Sequence, residues 1–236
     1  MMDSSIKKNQ GRCPVIISLF SFADALLGET LAMDVRILAE EATVEDFLTA
    51  LDQFAAAQLA DCRGCDGCCH ERAPLIAADI PRLAGLLAPS AAPAHMVCSN
   101  LALLTVNADG AADITMRRQA DGACSSLQRT EKFCCIWQAR PFVCRSHFCT
   151  PRSPRFSDLR ESIVNRGENE LTRLLLAEEA AGAAPLPEGA LAARLNPADY
   201  AISPISGKLS YVSLKIRDCV DDDLWQRLCA ENDPCA

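Results

Sequence analysis

Fourteen cysteines in 236 residues constrain this chain more than any other feature, and ten of them fall between residues 62 and 149. Thiols in that number serve disulfides, metals or redox chemistry. Half of the residues are hydrophobic, so a core forms without disulfide staples. Two adjacent Cys-Cys pairs and two-residue spacers also suit a metal better than a set of unstrained disulfides. The net charge is −8, against a chain built to grip nucleic acid. That charge is uneven. Residues 62–160 carry 12 basic and 8 acidic side chains, a local excess of +4 in the cysteine-rich third. Metal-bound thiolates are negative, and nearby arginines offset them.

No apolar stretch reaches about 18 residues, so no membrane span is expected. Lys7, Lys8 and Arg12 before the apolar run Val15–Ala23 mimic a secretory signal. Pro14 opens that run, Asp24 interrupts it, and no small-x-small cleavage site follows. The run reads as a buried strand, and the chain as cytoplasmic.

The pattern divides the chain into residues 1–61, 62–156 and 157–236. In the first part, Val15–Phe22 and Leu31–Leu38 read as strands around a turn at Gly28 and Glu29. Thr43 and Asp46 stand in capping-box positions before a helix whose apolar face runs from Val44 to Leu59. In the second part, Ala77–Leu87 reads as a short helix capped by Asp79, and 88–94 as a loop. Leu101–Val106 and Ile114–Arg118 flank an Asn107–Gly110 turn. In the third, Ser157–Ala181 is a long amphipathic helix weakened by Gly167. A shorter helix between Pro187 and Asn196, a strand over Leu209–Ile216 and a final helix over Asp221–Ala230 complete it. The expected fold is α+β: an irregular metal-centred core, an N-terminal hairpin with a helix, and a mainly helical C-terminal part.

Cys62-x2-Cys65-x2-Cys68-Cys69 lets a loop turn around one centre and aim successive sulfurs inward. Gly64 and Gly67 permit the tight backbone. A second cluster follows at Cys124, Cys134, Cys135, Cys144 and Cys149. It has no second C-x2-C knuckle, so it differs from a zinc ribbon. Arg145 is a candidate donor to a thiolate, with an ordinary ion pair as the alternative. His70 and His147 read as neighbours of ligands, and His95 as solvent-facing. Cys98 and Cys229 read as small buried residues, Cys219 lies in the C-terminal element, and Cys13 and Cys235 read as free thiols near flexible ends. No dinucleotide fingerprint, Walker loop or S-adenosylmethionine loop is present.

Taken together, Cys62-x2-Cys65-x2-Cys68-Cys69, the segment Leu75–Leu83 and Cys134-x-Ile136-Trp137-x2-Arg140-Pro141-x2-Cys144-Arg145 resemble the YkgJ-type CxxCxxCC cysteine-cluster family, over residues 62–149. That family is described as zinc- or iron-chelating. The resemblance implies Cys62, Cys65, Cys68, Cys69, Cys124, Cys134, Cys144 and Cys149 as metal ligands. Trp137 stands where tyrosine is usual, an extra hairpin separates Asp79 from Cys124, and Cys135 leaves its pair's ligand open. Eight thiols fit two four-sulfur centres, or one centre plus redox thiols. The spacing favours an iron–sulfur cluster over zinc. The first reading is electron transfer, alone or within a redox enzyme, with a redox protein as partner. The alternatives are a zinc-stabilised interaction module and an enzyme, methylase-like for example, that uses the cluster.

Overall fold

The computed structural model describes residues 13–24, 28–58, 64–186 and 195–231. Val15–Asp24 (β1) and Gly28–Ile37 (β2) pair antiparallel along their whole length, in register Val15 to Ile37. The outer edge of β2 is held by residues 151–153: Met33 N–H donates to the Pro151 carbonyl and Ser153 N–H to that of Met33, both at 2.8 Å. Val44–Gln58 (α1) follows, and its capping box forms as the sequence predicts. Thr43 N–H donates to the Asp46 carboxylate at 2.8 Å, and Asp46 N–H to the Thr43 hydroxyl at 3.2 Å.

A 3-10 turn at Ala77–Asp79 runs into the five-residue helix Ile80–Ala84 (α2), which is shorter than the sequence suggests. Pro93–Leu101 (α3) is a helix where a loop was expected at its start. The missing signal is a cap from elsewhere. Its first free N–H groups, Ala94 and His95, donate to the Glu178 carboxylate at 3.0 and 2.8 Å. Ala102–Val106 (β3) and Ala112–Met116 (β4) form the expected hairpin, its turn closed by Gly110 at φ +87°. Two-residue strands Leu127–Gln128 (β5) and Phe133–Cys134 (β6) pair in the cysteine-rich stretch, and Phe142–Arg145 (α4) makes one helical turn.

Pro154–Ala180 (α5) begins three residues before the expected start, because Ser153 accepts from Phe156 N–H and Pro154 takes the first helical position. The helix expected between Pro187 and Asn196 lies mostly outside the described residues. The strand expected over Leu209–Ile216 does not form. Ser210 and Ser213 exchange side-chain and backbone hydrogen bonds and wind the segment into turns. Ile216–Cys219 (α6) and Asp222–Cys229 (α7) close the chain, the latter capped by Asp221 at 2.8 Å.

Two apolar clusters make the interior of the described residues. One joins β1, β2 and α1 to the first half of α5 and to α6 and α7, around Phe47, Phe142 and Phe156. The other joins α2, α3, β3 and β4 to Leu171 and Leu175 of α5. Helix α5 spans both, and the pair of them forms one mixed α+β body. At Gly167, α5 packs tightly on Ile76: a Cβ there would stand 2.5 Å from Ile76 Cβ. Alanine in a helix interior normally gains about 1 kcal/mol over glycine. Gly167→Ala is expected to reverse that sign and cost roughly 1–3 kcal/mol through overpacking, read as a lowered denaturation midpoint at unchanged slope.

Candidate metal centre

The chain delivers its thiols to one place from four segments. Gly64, at φ +81°, leads into the first, and Gly67–His70 is a 3-10 turn. Cys69 N–H donates to the Asp66 carbonyl at 2.9 Å, and Cys124 N–H to the Cys69 carbonyl at 2.7 Å. This last bond ties the two cysteine clusters together. Cys134 lies on β6 and Cys144 on α4. Between them is a cavity of about 940 Å³ lined by Cys65, Cys68, Cys69, Cys124, Cys134 and Cys144. Met116, Ile136, Val143 and Phe148 supply apolar wall.

The remaining candidates divide. Cys62 lies outside the described residues, although Gly64, two positions on, lines the cavity. Cys135 and Cys149 are exposed and line no part of it. Cys134 is therefore the member of its pair that faces the cavity. Among the described residues, no three His, Cys, Asp or Glu side chains stand close enough to hold one ion. The donor set nonetheless fits a soft metal. Burial, with repulsion from Cys68, Cys124 and Cys134, pushes the Cys69 thiol up to about 12. Burial, with the neighbouring thiols, also pushes Cys144 up, and burial pushes Cys134 up. Thiolates crowded in this way need a cation among them, and binding one releases protons.

Arg145 takes the ion-pair alternative: it bonds Asp52 at 2.9 Å and Glu45 at 3.4 Å. A guanidinium that acts on the thiols is that of Arg140, which stands before Pro141 in the family motif. It lines the cavity, stacks 3.7 Å from the centre of the Trp137 ring, and favours ionisation of Cys134. His147 lines the cavity, with burial lowering its proton affinity, while His70 is exposed. His95 is half-buried on α3 with Nδ1 enclosed and unbonded, contrary to the expected solvent-facing position. Cys98 is buried as expected, Cys219 is buried, and Cys229 is exposed, contrary to expectation.

Asp79 supports the site from below. It does not cap α2. Its carboxylate accepts from Ile76 N–H at 2.9 Å, from Phe142 N–H at 2.8 Å and from the Tyr211 hydroxyl. Phe142 opens the turn that carries Cys144, so Asp79 fixes that turn against the C-terminal segment. The cysteine motif agrees with the comparison to known families. No curated protein and no solved structure matches the chain. A family model does, described as “CxxCxxCC: Putative zinc- or iron-chelating domain”, over residues 61–163. Residues 61–163 are similar to this cysteine-cluster family, and metal binding is the property that the match supports.

Proposed function

We propose that the cavity holds an iron–sulfur centre and that the protein carries electrons through it, alone or for a redox enzyme. The observation that carries this reading is that six thiols from four segments line one cavity. Four sulfurs around a single zinc at about 2.3 Å stand about 3.8 Å apart. A cluster spreads its cysteine sulfurs over two or more irons and so accepts a wider spread of thiols. Such a centre, when bound, supplies a reversible one-electron couple. The chain's own residues do the rest. Cysteine thiolates hold the centre, Arg140 offsets their charge, and apolar side chains form part of the wall around it. Phe133 and Trp137, both exposed and both lining the cavity, give its mouth an apolar rim for a redox partner.

The eleven described cysteines other than Cys68 form no disulfide, which suits a reducing compartment such as the cytoplasm. No described helix is long and apolar enough to cross a membrane. Thiol position gives the test. Cys68→Ser and Cys144→Ser are expected to lose most of the bound metal. Cys135→Ser and Cys149→Ser are expected to keep it. Metal content by elemental analysis on the four variants checks this. Equal content in wild type and Cys144→Ser would remove the cavity from the account.

A further inference from the structure

The cavity is far larger than an inorganic centre fills, and it falls in the range of sites for small organic ligands. One wall is thiol. Another is apolar, from Met116, Ile136 and Val143. The cations around it are not equivalent. Arg72 is bound to Asp113 at 2.5 Å and Lys132 to Asp66 at 3.4 Å. Arg140 has neither hydrogen bond nor ion pair among the described residues, and its Nε is shut off from solvent without a partner. The face of its guanidinium lies on Trp137, which leaves the edge, with its N–H donors, as the only polar contact it offers. The acids lining the cavity do not answer it. Asp52 is held by Arg145, and Glu71 and Glu131 are exposed to water.

An unpaired planar guanidinium beside apolar wall matches a carboxylate attached to an apolar body. We propose that the cavity binds a small organic carboxylate beside the thiols, with Arg140 as the residue that takes the carboxylate and Trp137 as the platform that holds Arg140 flat. The proposal does not depend on which metal the thiols hold.

The test is calorimetric titration of the purified full-length chain with benzoate, and with benzamide as its uncharged counterpart. Saturable binding of one benzoate per chain is expected, with benzamide about tenfold weaker or more. Arg140→Gln is expected to lose the benzoate preference, and Arg140→Lys to restore part of it, since a point charge replaces the fork. Equal affinity for benzoate and benzamide, or no saturable benzoate binding at roughly 10 mM, overturns the proposal. So does unchanged benzoate binding in a folded Arg140→Gln. If that variant does not fold, the wild-type comparison of the two ligands decides alone.

Discussion

Replacing Asp79 with alanine is expected to cost roughly 3–5 kcal/mol of folding stability, because it leaves three enclosed donors without an acceptor. Those donors are the N–H groups of Ile76 and Phe142 and the hydroxyl of Tyr211. They belong to three separate parts of the chain, so no local rearrangement replaces the lost partner. Asp79→Asn is a milder change. Its amide oxygen can still serve Phe142 and Tyr211, which share one carboxylate oxygen, but its NH2 then meets the Ile76 N–H. The expected cost is about 1–2 kcal/mol. The carboxylate also titrates. Burial raises it to about 6, against the pull of its hydrogen bonds and of Arg82. A raised acid holds its proton more tightly in the folded state. Its contribution to stability therefore falls as pH rises from about 4, the unfolded value, to about 6, and is level above that. Urea denaturation at pH 5 and pH 7.5 checks both points: the variants lower the midpoint, and Asp79→Asn removes this group's share of the pH slope.

Arg155→Ala is expected to cost a similar amount, about 3–5 kcal/mol, by stranding a buried charge. Asp34 and Arg155 are 4% exposed each. Arg155 Nε bonds Asp34 at 2.8 Å, and a second guanidinium nitrogen pairs with the other carboxylate oxygen. Ser153 also donates to Asp34, at 2.6 Å. The third guanidinium nitrogen donates to the carbonyls of Arg227 and Ala230 at 3.1 and 3.2 Å, which close the last helix. Loss of Arg155 thus strands one carboxylate and loosens α7. A double-mutant cycle with Asp34→Ala measures the coupling, and additive single effects would deny it.

Local grammar explains which elements were legible in the sequence. The first hairpin, α1 and α7 carry their signals within a few residues: alternation, a Thr43/Asp46 box, Asp221 before an apolar face. The errors lie where a distant group decides. Glu178 caps α3 from 84 residues away, and Ser210 with Ser213 overrides an alternating pattern that reads as a strand. Gly167 reads locally as a weak point and is in fact the clearance for Ile76. At the site, the resemblance implied eight cysteines; six of them line the cavity, Cys149 does not, and Cys62 lies outside the described residues. Spacing could not separate Cys134 from Cys135, because one residue of chain decides which side of β6 a thiol takes. Nor could it separate Arg140 from Arg145. Their roles depend on Asp52 and Glu45, which α1 brings from nearly a hundred residues away.

Anaerobic purification tests directly whether the cavity holds an iron–sulfur centre. The full-length chain is purified without oxygen, and iron, zinc and acid-labile sulfide are measured on the sample whose absorption spectrum is recorded. The account predicts iron and sulfide together, with a brown colour that dithionite bleaches. A colourless protein with stoichiometric zinc would contradict it, leaving a closed thiolate scaffold with no electron to carry.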